Sequence, residues 1–499
     1  MHCILQNLRL MTIAWLIFAL TSCMLGPNFQ SPAPPSIARY TYKPLPGHTI
    51  GTPKAGHAGK TQQFAMYEDI PSQWWALFHS KEINELVQQG LNKSPTLIAA
   101  KATLTQAEET LNAQIGSLLF PAINLGLGGN RQRASGLTFN STSPPSLFTV
   151  YNTTANVSYP LDVFGGSRRQ VESYQAQVDY ERFQLIAAYL TLTSNIVTTA
   201  ITIASLQEQI TATIQLIQEE SKTLYIIQKQ FQLGSVSHAN VLSQQTQLAT
   251  TQALLPPLQK SLAQSRHALA VLIGDLPSES QSPILDLNRL TLPQRLPINI
   301  PSQLVRQRPD VQAAEATLHS TSALIGVATA NLFPQINITG NYGWLAQSPG
   351  SLFAPINKTW AYGAGLTQPL FHGGSLLAER RAAIAAFEAA YAQYQQTVLQ
   401  AFQNVADALR AIEYDAYTLK AQTNARIAAR ATFILTREQY QLGAADYLSL
   451  LTAEQQYQSV LINQIQAAAT RYTDTVALFQ ALGGGWWNIS PALEKRKNS

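Results

Sequence analysis

The chain has 499 residues, of which 12% are charged, about half the usual share of ~25%. Gln, Asn, Ser, Thr and Ala take the place of the missing charge, so its polarity is mostly uncharged. A mean hydropathy of −0.03 excludes a bundle of membrane helices, and a net charge of +5 with no Lys/Arg cluster interleaved with aromatics argues against a nucleic-acid partner.

The first element is short and apolar. "LMTIAWLIFAL" (10–20) follows a single positive charge at Arg9. It is too short for a spanning helix, which needs about 20 residues, and suits the core of a signal peptide. "LTSC", Leu20 to Cys23, resembles the bacterial lipobox, in which the signal is cut before a Cys that is then acylated. Small residues precede Cys23 and a Pro-rich "MLGPNFQSPAPPS" follows it, as a lipid anchor and tether require. Met24 rather than Asp at the next position points, by the same resemblance, to the outer membrane. An ordinary secretory signal with an accidental Cys is the competing reading. Residues 1–22 are thus expected to be a signal peptide and 23–80 an acylated tether. With Cys3 removed and Cys23 lipidated, no thiol remains for a disulfide or a thiolate metal site.

The rest is a tandem repeat. "SPTLIAAKATLTQAEETLNAQIGSLLFPAINLGLGGN" (94–130) parallels "RPDVQAAEATLHSTSALIGVATANLFPQINITGNYG" (308–343), and "NVSYPLDVFGGSRR" (156–169) parallels "GLTQPLFHGGSLLAER" (365–380). "FQLGSVSHANVL", from 231, matches "YQLGAADYLSLL", from 440, at an offset of 209 that Gly274 and Gly483 share. The repeats are placed at 81–290 and 291–485, with 486–499 as a tail. Each copy predicts a helix, two strands and a long helical hairpin.

From Ser167 to Phe231 apolar residues recur at steps of three, four and seven without Pro or Gly, the pattern of a coiled-coil-like stripe. Such a helix is on the order of 100 Å long. The second copy repeats it from about Leu376 to Gln441, with a partner helix from about Asp446 to Leu482. In the first copy the partner contains "LLPPLQ", and Pro256-Pro257 predicts a break into two stacked pieces. Gly234 and Gly443 suit the left-handed residue that ends a helix, and Ser237 or Asp446 the N-cap that restarts one.

The strand segments alternate. Ile123, Leu125 and Leu127; Tyr151, Ala155, Val157, Tyr159 and Leu161; Ile336, Ile338, Tyr342 and Trp344; and Trp360, Tyr362, Ala364 and Leu366 each share one face, with small or polar residues opposite. Strands of about ten residues, aromatic toward the ends, suit a membrane β-barrel; a half-buried soluble sheet would alternate in the same way. If they cross a membrane, four strands cannot close a barrel, which takes about eight, so the chain must oligomerise. Three chains would supply twelve strands.

Taken together, "RPDVQAAEATL", "LFPQINI", "YPLDVFGG" and "QPLFHGG" resemble the TolC-type outer-membrane efflux proteins (outer-membrane factors), in their OprM-like lipoprotein branch. The resemblance covers nearly the whole mature chain. It implies an α+β membrane protein: a homotrimer with a twelve-stranded barrel in outer-membrane lipid and an α-helical tunnel projecting into the periplasm. It implies that the tunnel docks a periplasmic adaptor and an inner-membrane pump, of RND type more often than not in this branch. The docking tips would be Gly234, Ser235, Ser237, Gly443, Ala444 and Asp446, and the periplasmic gate Leu448, Ser449, Thr452 and Tyr440. Ser449 and Thr452 stand where relatives often carry Asp, and Ala445 where the Arg partner of the tyrosine stands, so neither an acidic ring nor that latch is expected. The gate is expected to rest on apolar packing around Leu448, with Glu454 turned to solvent or a neighbouring helix.

No enzyme is expected. The histidines are scattered, the paired glycines of "GLGGN" and "FHGGS" are read as close-packing positions, and Trp74, Trp75, Trp486 and Trp487 as packing. The covalent lipid on Cys23 is the one expected attached group and no metal is expected. A free-standing passive pore and a type I secretion exit channel are the alternatives to an efflux exit duct. A porin does not need the long helices, and a periplasmic spacer does not need the strands.

Overall fold

The structure, a computed structural model, describes residues 24–134, 146–279, 283–298 and 301–488. The expected signal peptide, Cys23 and residues 489–499 of the expected tail lie outside the described residues. In chain order the elements are β1 (Gln63–Met66), α1 (Lys81–Lys93), α2 (Pro95–Leu119), β2 (Ala122–Ala134), β3 (Ser146–Leu161), α3 (Gly166–Gln232) and α4 (His238–Ile273). They continue with β4 (Arg295–Ile298), α5 (Pro301–Gln307), α6 (Pro309–Ala330), β5 (Gln335–Ala346), β6 (Lys358–Thr367), α7 (Ser375–Gln441) and α8 (Tyr447–Ala481). The order α2-β2-β3-α3-α4 recurs as α6-β5-β6-α7-α8, and α3 and α7 have 67 residues each. The backbone packs as two compact units, each drawing on both repeats.

The unit formed by Met1–Pro32, Thr103–Arg182 and Ala313–Gln395 holds a four-stranded sheet of order β2-β3-β5-β6. All its pairings are antiparallel. The register aligns the four apolar rows: Leu125 faces Ala155, Ala155 faces Tyr342 and Tyr342 faces Trp360. The other face carries Asn124 opposite Asn156 opposite Asn341 opposite Ala361. The alternation read from the sequence is therefore one continuous apolar face and one continuous polar face. Leu125 and Leu127 are 72% and 75% exposed, so that apolar face is uncovered. β2 and β3 run to 13 and 16 residues, longer than the ten expected. The reason lies in the sequence of β2: beyond Leu127 its apolar-parity positions become Gly129, Arg131 and Arg133, so the excess length is not apolar.

In the same unit the chain after Cys23 is pinned. Leu25 N–H donates to Phe164 O at 3.1 Å, and the buried Arg169 donates to Leu25 O, to Gly26 O and, at 2.7 Å, to Asn28 Oδ1. Glu172 takes a further Arg169 hydrogen bond and one with His319, whose ring stacks on Phe29 at 4.4 Å. At the start of α7, Gly373 and Gly374 have φ of +58° and +82°, with nothing near a would-be Cβ. Left-handed backbone, not close packing, calls for that glycine pair.

The second unit comprises Ala33–Ala102, Phe183–Gln312 and Gln396–Ser499. Here the expected tether is folded: β1 pairs in parallel with β4, a sheet that the sequence does not announce. Trp74, stacked on Phe479 at 5.4 Å, and Trp75 are buried with Phe78 and Ile70. Trp486 Nε1 donates to Gln307 O, and Trp487 Nε1 to Asp69. The four tryptophans are packing residues, as expected. Arg471 on α8 is buried and donates to Ala58 O, Thr49 Oγ1 and Gln62 Oε1, fastening the tether to the helix. Desolvation lowers its guanidinium pKa to about 10.

The predicted break at Pro256-Pro257 does not occur: α4 is continuous from His238 to Ile273. Both prolines, and Gln252 and Ala253, whose carbonyls lose their donors, are exposed. Carbonyls on an exposed face are open to solvent in place of the lost donors, so the missing N–H groups need not break the helix.

Candidate functional site: two hairpin turns and a buried polar seam

The two turns have the same backbone. Gly234 and Gly443 have φ of +77° and +75°. Gly234 N–H donates to Phe231 O and Ser235 N–H to Gln230 O; Gly443 N–H donates to Tyr440 O and Ala444 N–H to Gln439 O. This is a Schellman closure of α3 and of α7, and only Gly adopts its left-handed residue cheaply. The restarts differ. Asp446 caps α8 by accepting from Ser449 N–H at 2.8 Å, while Ser237 occupies the N-cap of α4 without capping it and donates instead to Asn240 Oδ1. Hydrogen bonds from Ser449 hold the Asp446 carboxyl below its ordinary pKa.

The tip residues Gly234, Ser235, Ser237, Gly443, Ala444 and Asp446 are all exposed. Leu448, Ser449 and Thr452 lie together on the exposed face of α8; Leu448 is 67% exposed, and Thr452 Oγ1 donates back to Leu448 O. Tyr440 is on the other side of the turn. Its hydroxyl donates to Gln230 Oε1 on α3 at 3.2 Å, linking the two hairpins, and its ring meets Tyr447 edge-on at 6.0 Å within the second. Burial raises the Tyr440 and Tyr447 phenols above their ordinary pKa. The structure thus gathers Leu448, Ser449 and Thr452 and places Tyr440 apart from them.

Of the two surroundings expected for Glu454, solvent or a neighbouring helix, the structure gives the second: it is 2% exposed, on the face of α8 that also buries Tyr447 and Leu450. Apart from two carboxyls, that face meets α3 and α4 through uncharged side chains. Tyr447 donates to Gln244 on α4, and Gln455 Nε2 donates to Gln247 Oε1 at 2.7 Å. Gln458 Nε2 donates to Thr251 Oγ1, and farther along Gln466 Nε2 donates to Gln209 Oε1 on α3. Glu220 on α3 lies within this seam, fully buried; its Oε1 accepts from Thr251 Oγ1 at 2.8 Å and from Gln247 Nε2 at 3.1 Å. Desolvation raises the pKa of both carboxyls, that of Glu454 to about 7 with Glu220 adding to it. Sequence reading missed this seam. The excess of Gln in these helices was its signal.

Residues 86–275 and 300–484 match the model of a family described as outer membrane efflux protein. The toluene efflux pump outer membrane protein TtgC of Pseudomonas putida is 27% identical over 489 residues, covering 96% of each chain. The pyoverdine export outer membrane protein OpmQ, also of Pseudomonas putida, is 29% identical over 455 residues, covering 89% of this chain and 94% of the relative. Among solved structures, the outer-membrane channel OprN superposes with a TM-score of 0.83 at 27% identity, covering 93% of this chain and all of that one. The CmeC outer membrane channel of Campylobacter jejuni shares the fold, with a TM-score of 0.82 at 20% identity over 95% of this chain and 98% of its own.

Proposed function

Since the chain belongs to the outer membrane efflux protein family and is an outer-membrane component, we propose that it is the exit duct of a tripartite efflux system, passing small molecules outward from a periplasmic adaptor and an inner-membrane pump. The observation that carries this reading is the sheet with one exposed apolar face, one polar face and two edge strands, β2 and β6, each paired on one side only among the described residues. In lipid such edges must be paired, so the working form is a homotrimer, its three sheets closing one barrel in outer-membrane lipid. The two 67-residue helices and their matched turns supply the tunnel wall and its periplasmic rim.

The repeats at 81–290 and 291–485 are the topological units of this duct. Cys23 carries the lipid, a reading supported by the fixed path of Leu25, Gly26 and Asn28 beside the end of β3. Gly234, Ser235, Ser237, Gly443, Ala444 and Asp446 meet the adaptor, whose pump is of RND type; Leu448, Ser449 and Thr452 form the gate and Tyr440 braces it. No catalytic or metal chemistry is assigned to any residue.

The test is photo-crosslinking in living cells from a reactive residue at Ser237 or Ala444. Capture of a periplasmic adaptor supports the docked duct. Capture of neighbouring subunits alone, with the protein abundant and trimeric, overturns it in favour of a free-standing pore.

A further inference from the structure

Glu220 and Glu454 are the charged groups in a seam otherwise built of Gln, Thr and Tyr, and neither forms an ion pair among the described residues. Thr251 and Gln247 on α4 both donate to Oε1 of Glu220, and its buried Oε2 has no partner. Gln247 Nε2 and Thr251 Oγ1 also bond to the two ends of Gln458, one turn along α8 from Glu454 on the same face. Glu220 is thus hydrogen-bonded into a cluster joining α3, α4 and α8, and Glu454 is buried one turn from Gln458 on the face of α8 that meets it. The titratable groups that act on this cluster are Glu219 on α3, Arg437 and Tyr440 on α7 and Tyr447 on α8, while the α4 side chains bonded into it, Gln244, Gln247 and Thr251, carry no charge. Arg437 favours the Glu454 charge, while Glu219 and Glu220 oppose it.

Two ionised carboxylates in a dry seam repel each other and lack the solvation that would offset their charge. A single proton removes most of that cost.

We propose that Glu220 and Glu454 form a proton-operated clasp between the two helical hairpins: with a proton held in the pair, α8 stays zipped to α3 and α4, and its loss releases the α8 end of the second hairpin. Burial, and then Glu220, raise Glu454 from an ordinary 4.5 to about 7, and burial raises Glu220. The zipped state therefore binds more protons than the released one. Its stability is fully present below about 4.5, falls as pH rises, and the clasp contribution is lost above about 7. At the rim of the proposed duct this makes opening easier in a neutral periplasm than in an acidified one. That consequence rests on the duct reading; the clasp itself does not.

The experiment is amide hydrogen exchange of the purified full-length protein, followed in the segment 447–460 between pH 5.5 and 7.5 and corrected for the intrinsic rate at each pH. Wild type is expected to lose protection by roughly twentyfold across that window, the change one proton drives when its pKa falls from about 7 to 4.5 on release. Glu454→Gln, and independently Glu220→Gln, are expected to flatten that dependence. Asp415→Asn is expected to preserve it, although desolvation and Asp474 raise the Asp415 carboxyl on α7 to about 7 as well. Protection independent of pH in wild type overturns the clasp, as does an unaltered dependence in both Gln variants or its disappearance in Asp415→Asn. Exchange is read whether or not the protein conducts. A pH-dependent segment in a protein that captures no adaptor supports the clasp and removes the duct reading alone.

Discussion

Tyr447 and Leu448 are neighbours in sequence with opposite environments: the tyrosine is 6% exposed and the leucine 67%. One step along a helix is about 100°, enough to carry a side chain from the seam to the open face. This is why Leu448, Ser449 and Thr452, which the family resemblance groups, share one open face, while the same resemblance gives no sign of the burial of Glu454. Which face of α8 meets α3 and α4 is decided by the hairpin packing, and an isolated Glu in a polar helix carries no mark of it. If Leu448 closes the proposed pore by apolar contact, Leu448→Ala raises the closed-state conductance of the reconstituted protein; an unchanged closed state removes it from the gate. The glycines were legible because their constraint is local. Gly234→Ala and Gly443→Ala each place a Cβ on left-handed backbone, at about 1–2 kcal/mol. Both are expected to lower protection at the helix ends they close, and equal exchange in variant and wild type would show that the turns relax.

At the scale of elements, the boundaries of α3, α7 and α8 were readable to within two residues, since each ends at a Gly and none contains a Pro. α4 was misread for a physical reason: a proline rule concerns hydrogen bonds, and its cost depends on whether water replaces them. Pro256 and Pro257 sit on the wet side. Replacing both with Ala restores two donors to a helix already formed, so the thermal unfolding midpoint should rise, by an amount reflecting up to about 3 kcal/mol per site. A fall would mean that the prolines shape a curvature needed elsewhere. The faces of β2, β3, β5 and β6 were legible from alternation, and the register then joined them across the sheet. β1 and β4 were invisible, because four-residue strands that pair across more than 200 positions leave no periodicity to read.

At the scale of the whole molecule, the open question in the alternating strands was whether their apolar face meets lipid or a soluble partner. The sheet leaves Ile123, Leu125 and Leu127 uncovered on one side and Asn124 and Asn156 on the other. The two alternatives differ in how each face tolerates a charge. In lipid, Leu125→Arg costs about 2–4 kcal/mol per chain near the membrane midplane, and a trimeric barrel bears that cost in every subunit. Asn156→Arg on the facing strand puts the same charge into a water-filled lumen and is nearly free. The measurement is the amount of heat-modifiable, detergent-resistant oligomer in the outer membrane for each variant. Loss with Leu125→Arg and retention with Asn156→Arg fit a barrel whose apolar row faces outward. Equal tolerance of both charges would mean that the row does not lie in hydrocarbon. The reverse asymmetry would turn the sheet inside out, and with it the assignment of the polar face as the channel wall.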